Sequence, residues 1–183
     1  VCDKYGMYLF VDGARMGYGL GSEANDVSLR DFGQLADVFY LGGTKCGALF
    51  GEAVVLLADS LKHRFKTYMK QNGAVLAKGW LLGLQFYALL ENGEYFKITA
   101  RADKLAMRLK EAFAEKGIPS AVDSPTNQQF VILTPLQEEK LAEKYIFEGM
   151  GTLEDGRKKV RFCTSWSTTE DEIDALIADI QVL

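Results

Sequence analysis

Two stretches of the 183-residue chain end in side chains that could do chemistry together. "LFVDGARMG" (9–17) runs from an apolar segment into Asp12 and Arg15, and "ADVFYLGG" (36–43) delivers Thr44 and Lys45. An acid at one strand end and a lysine at another suit an aldehyde cofactor with a pyridine ring, pyridoxal phosphate (PLP). A lysine amine can hold its aldehyde as a Schiff base. An acid against the ring nitrogen keeps that nitrogen protonated, and polar or cationic groups orient the phosphate and the ring oxygen. Asp12 and Lys45 meet the first two needs. Arg15, one helical turn beyond Asp12, can reach the ring hydroxyl or the phosphate. Thr44 adds a hydroxyl, and Gly42 and Gly43 let the backbone approach the cofactor. Each feature also has an ordinary explanation, since a strand ending in Asp-Gly is commonly a turn and a loop lysine is commonly solvated. Spacing alone leaves both readings open.

The elements that must position these residues are strands. The near-continuous apolar run 7–11 predicts a parallel strand covered on both faces. A short helical connector over 26–35 leads to a second strand at 37–41, and "GALFGEAVVLLA" predicts a third. Strand, helix and strand within about thirty residues indicate an α/β sheet, in which ligands bind beyond the carboxyl ends of the strands. Further on, 60–70 predicts a cationic amphipathic helix. The segment 74–90 is apolar on nearly every face and predicts a central helix or one buried against another subunit. An amphipathic helix over 95–116 carries Ile98, Ala102, Leu105, Leu109 and Phe113 on one side. Beyond "EKGIP" the chain predicts a small α+β unit. Its elements are strands at "SAVDSP", "QQFVILTP" and "KKVRFCTSW", a helix over 138–147, and a last helix capped by Thr169 and Glu172. The expected divide is 1–94 against 95–183.

Bulk properties narrow the partners. A net charge of −4, with no Lys/Arg cluster, argues against nucleic acid. The 74–90 stretch falls short of the roughly 20 apolar residues of a membrane span. Cys2, Cys46 and Cys163 are too scattered for a disulfide framework or a zinc site, so no metal is expected and a reducing cytoplasm is. Cys46 is read as a buried structural thiol, and His63, the single histidine, as a surface residue on a cationic helix. The chain opens at Val1 in what resembles the end of a helix, which leads us to expect part of a longer protein.

"FVDGARMGYGL", "ADVFYLGGTKCGALFGEAVVL" and "MKQNGAVLAKGWLLGLQF" together resemble the threonine aldolase and β-eliminating lyase family of fold-type-I PLP enzymes. The resemblance runs from about Tyr8 to the C-terminus, with Asp-Gly-Ala-Arg and Thr-Lys at the family's separation. It implies the C-terminal part of a PLP-binding large domain (1–94), followed by a small α+β domain (95–183). It also implies an aldehyde-lyase that cleaves Cα–Cβ of a β-hydroxy-α-amino acid such as threonine. Carried over, Asp12 faces the ring nitrogen, Arg15 the ring oxygen, Thr44 the cofactor, and Lys45 holds the aldehyde. The late strand "KKVRFCTSW" contributes Arg161, whose planar fork suits a substrate carboxylate. A homodimer or homotetramer is expected. There are two departures from the family. Lys70 stands where the family has arginine, and the family's first half, source of its phosphate loop and stacking ring, does not precede these motifs. Two alternatives remain: another fold-type-I reaction such as β-elimination or transamination, or a catalytically incomplete fragment acting in folding and subunit association.

Overall fold

The computed structural model describes the whole chain, Val1 to Leu183. The chain forms two compact units, Val1–Leu20 with Asn25–Ile98, and Gly21–Ala24 with Thr99–Leu183.

In the first unit, β1 (Phe10–Val11) is followed by α1 (Met16–Gly21), α2 (Leu29–Leu35), β2 (Val38–Gly42) and β3 (Glu52–Leu56). Then come α3 (Asp59–Lys62), α4 (Phe65–Gln71) and α5 (Trp80–Glu91). The sheet order is β1-β2-β3. β1 runs parallel to β2, with Val11 opposite Phe39, and β3 returns antiparallel. The crossover helix α2 is started by a capping box in which Ser28 and Asp31 exchange bonds. β2 has a neighbour on each side and is buried at four of five positions, as a central strand requires.

Three expectations change here. The strand at 7–11 shrinks to two residues, and Met7, Tyr8 and Phe10 are exposed. β1 is an edge strand with a ladder on one side only. The single helix at 60–70 is two helices, because Arg64 takes a left-handed conformation (φ 55°) that no α-helix can contain. The apolar helix at 74–90 begins only at Trp80, after a turn, and buries little beyond Phe86. Trp80, Leu81, Leu84 and Tyr87 are exposed.

The second unit takes most of α6 (Glu94–Glu115), then β4 (Ser120–Val122), β5 (Gln128–Leu133), α7 (Pro135–Ala142), β6 (Glu148–Thr152), β7 (Lys158–Cys163) and α8 (Glu170–Gln181). Its antiparallel sheet has the order β4-β5-β7-β6. Leu105, Leu109 and Phe113 of α6 pack with Val131 and Leu133 of β5, Val160 and Phe162 of β7, and Ile173, Leu176 and Ile180 of α8. Phe162 lies 5.2 Å from Phe113 and 4.8 Å from Phe147, ring centre to ring centre. Thr169 caps α8 with Glu172, as its sequence predicts. The helix expected at 138–147 is displaced toward the N-terminus. Thr134 caps it with Gln137, and Pro135 occupies its first turn, where a missing N–H costs nothing. β6 has no signal in the sequence, since its "EGMGT" is exposed throughout and carries no apolar alternation. No helix is long and apolar enough to cross a membrane.

Candidate active site

β1 ends at Val11, and its parallel register against Phe39 carries the next residue, Asp12, alongside Tyr40. The Asp12 carboxylate accepts a hydrogen bond from the Tyr40 hydroxyl and a second from the Ala14 N–H at 3.1 Å. Donation by Tyr40, then by Ala14, and last the charge of Lys45, hold the Asp12 carboxyl below the usual carboxylate range. The same bond pushes the Tyr40 phenol up to about 12. Asp12 is therefore a fixed anion within electrostatic reach of Lys45.

Glycines weld the two strand ends. A Cβ on Gly13 would lie 1.7 Å from the Tyr40 carbonyl oxygen, and one on Gly42 2.2 Å from that of Ala14. The Gly42 N–H donates to the Gly13 carbonyl at 2.8 Å. A Cβ on Gly43 would meet the Gly51 oxygen at 2.3 Å. At Gly42 and Gly43 the space a Cβ would take is filled by this chain's own backbone.

The loop that carries Thr44 and Lys45 is braced from beneath. Cys46 and Ala48 both donate to the Gly43 carbonyl, at 2.9 and 3.0 Å. The Tyr18 hydroxyl donates to the Lys45 carbonyl, Tyr95 to that of Gly42 at 2.9 Å, and Glu52 accepts from the Gly43 N–H at 2.8 Å. Tyr18, Tyr95 and Cys46 are buried. Burial pushes the Cys46 thiol up, which suits an inert packing group rather than a nucleophile. Above this base the Thr44 and Lys45 side chains are exposed. Arg15, half-buried just ahead of α1, shares with Asp12 the wall of a cavity of about 300 Å³ closed by Met16, Leu20 and Phe32.

Tyr18, Tyr40, Glu52 and Tyr95 belong to neither the Asp-Gly-Ala-Arg nor the Thr-Lys motif in the sequence. Tyr40 alone carried a usable signal, since pairing the two predicted strands end to end sets a strand hydroxyl next to Asp12.

Arg161 belongs to the second unit. It sits in the middle of β7, opposite Phe130 on one side and Glu148 on the other. It forms no ion pair. One guanidinium nitrogen donates to Gln128 Oε1 at 3.1 Å, while Nε is buried without a partner. His63 and Lys70 are exposed, and no disulfide joins the three cysteines.

No protein-family model matches the chain. Over its full length it is 29% identical to the low specificity L-threonine aldolase of Pseudomonas sp. (strain NCIMB 10558) and 27% identical to that of Pseudomonas aeruginosa. It spans about half the length of each, 52%. Among solved structures, the threonine aldolase of Leishmania major is 40% identical and matches 99% of the chain and 53% of its own, with a TM-score of 0.96. More distant structures share the fold alone. A lysine aminotransferase of M. tuberculosis has 19% identity and a TM-score of 0.55, with 99% of this chain and 42% of its own covered. A serine palmitoyltransferase of Sphingomonas wittichii has 13% and 0.64, with 99% and 48% covered. The chain resembles the threonine aldolases, and its α/β fold is that of the fold-type-I enzymes.

Proposed function

We propose that the intact protein is a PLP-dependent, threonine-aldolase-like lyase that splits a β-hydroxy-α-amino acid such as threonine into glycine and an aldehyde. The observation that carries this reading is the placement of Asp12 and Lys45 at the adjoining ends of two parallel strands, with Asp12 held anionic. The similarity to the Leishmania major enzyme supports the choice of reaction.

The residues present suit the cofactor. A fixed carboxylate for a ring nitrogen, an exposed amine beside it and a guanidinium on the same cavity wall are the donor set that PLP chemistry needs. When bound, the cofactor supplies an aldehyde carbon for amines and a ring that takes up the electron pair of a broken bond. Asp12 would hold a proton on the ring nitrogen, Arg15 would contact the ring oxygen, and Thr44 would add a hydrogen bond. Lys45 would supply the amine that substrate displaces. Arg161 would grip the substrate carboxylate with its planar guanidinium.

Within this reading the residues 1–94 are the C-terminal part of the cofactor-binding domain and 95–183 the small domain. The exposed apolar side of α5 supports assembly as a homodimer or homotetramer, and cysteines outside any disulfide agree with a reducing cytoplasm.

The test is chemical. Borohydride treatment of the intact protein with PLP should fix the cofactor on the peptide that contains Lys45. Label on Lys70 or Lys78 would refute the assignment. Threonine should yield glycine and acetaldehyde. Ammonia and a keto acid instead would transfer the same residues to β-elimination.

A further inference from the structure

The contacts at Gly13 and Gly42 fix the main chain beside Asp12. An exposed carboxylate would still turn about its own side-chain bonds. Two donors stop it. The Ala14 N–H, two residues on, donates to Oδ1 at 3.1 Å in the manner of an Asx turn. The Tyr40 hydroxyl donates to the same oxygen. With both bonds on Oδ1, Oδ2 is the oxygen left for a further donor.

The Tyr40 side chain is placed for this contact by the sheet. Val11 lies opposite Phe39, so the parallel register sets Tyr40 level with Asp12 and on the same face. The Tyr40 ring rests against Phe10, 6.1 Å from centre to centre. Its hydroxyl bonds one side chain, that of Asp12. The phenol, pushed up to about 12, stays a protonated donor through neutral and mildly alkaline pH.

We propose that Tyr40 is a positioning residue of the cofactor site: its hydroxyl, with the Ala14 N–H, occupies Asp12 Oδ1 and so presents Oδ2 to the ring nitrogen. This rests on the PLP reading of the site, and Tyr40 acts through Asp12. The hydroxyl has two opposing effects. By donating, it makes the carboxylate a weaker acceptor. By holding, it spares the carboxylate a loss of torsional freedom when the cofactor binds. The second effect dominates at an exposed side chain, where the alternative is a carboxylate turned toward water.

The probe is a pair of cofactors, PLP and its 1-deaza analogue, in which a C–H replaces the ring nitrogen and the aldehyde and phosphate are kept. Dissociation constants for both are measured by equilibrium dialysis on the intact protein, parent and Tyr40→Phe. The parent should prefer PLP, because only PLP brings Asp12 a ring N–H. Tyr40→Phe keeps the ring against Phe10 and should narrow that preference about fivefold, a coupling ordinary for one hydrogen-bond network. Its affinity for the 1-deaza analogue should stay at the parent's value. A hydroxyl with a purely structural role would instead weaken both cofactors alike. Tyr40→Leu, which lacks the ring as well, should narrow the preference no further than Tyr40→Phe. PLP bound on Lys45 with a preference untouched by Tyr40→Phe overturns this proposal and leaves the PLP reading standing. Narrowing in Tyr40→Leu alone assigns the effect to packing and overturns it as well. Failure of the intact protein to take up PLP on Lys45 removes both.

Discussion

The charge on Asp12 is kept by a tyrosine hydroxyl on the neighbouring strand more than by any cation. A depressed carboxyl of this kind stays ionised as pH falls through the usual carboxylate range, and whatever it contributes is lost only below that. An amide at this position keeps the shape and loses the charge. Asp12→Asn in the intact protein should therefore retain PLP, seen in its absorbance, while turnover falls on the order of a hundredfold or more. Near-normal turnover would make Asp12 a turn residue. Arg161→Lys tests the group proposed to hold the substrate carboxylate. Lysine keeps the charge but not the fork, and a charge-assisted bond is worth roughly 1.5–3 kcal/mol, so kcat/KM for threonine should drop about tenfold or more with the cofactor spectrum unchanged. An unchanged kcat/KM would leave Arg161 an ordinary strand residue. At this scale, Asp12, Arg15, Thr44 and Lys45 could be singled out because an apolar run that stops at a polar side chain is visible in one dimension. Tyr18, Glu52 and Tyr95 could not. Their bonds reach residues 9 to 53 positions away and exist only once strands and helices are assembled.

Elements were legible in proportion to their length and their caps. The 22-residue α6 repeats its apolar positions through six turns, and α8 announces its start with Thr169 and Glu172. The stretch 60–70 has a helical pattern as well, yet the pattern says nothing of the one backbone angle at Arg64 that divides it. β6 is held only by its ladder to β7, so its exposed, glycine-bearing sequence had no reason to alternate. The start of α7 was readable but misplaced: Thr134 and Pro135 mark it, ahead of the apolar periodicity. Thr134→Ala removes the side-chain acceptor for the Gln137 N–H and should lower stability by about 1 kcal/mol in urea denaturation. Thr134→Ser, which retains the acceptor, should recover most of it. An Ala variant as stable as the parent would show that the cap is idle.

Taken whole, the 183-residue chain places the hydrophobic cluster of α6, β5, β7 and α8 in its second unit. β5 and β7 each have a partner on both sides and sit beneath α6 and α8, whereas β1 is two residues long with an open edge and exposed Phe10. Amide hydrogen exchange of this chain should be slowest at Val131 and Val160 and fast at Phe10 and Val11, because edge strands with few buried contacts open at little cost. Equal protection in the two units would contradict this. The sequence pattern changes character beyond α6, and the structure assigns Gly21–Ala24 and Thr99–Leu183 to one unit and the remaining residues to the other. What the pattern does not carry is how a fold is trimmed to place an acid against an amine. The glycine seam between the ends of β1 and β2 does that placing with main-chain atoms alone. The two anchor points are therefore set by a ruler with no adjustable part: substitutions elsewhere can repaint the surroundings of the site, but lengthening the gauge itself would require breaking the seam at Gly13 or Gly42.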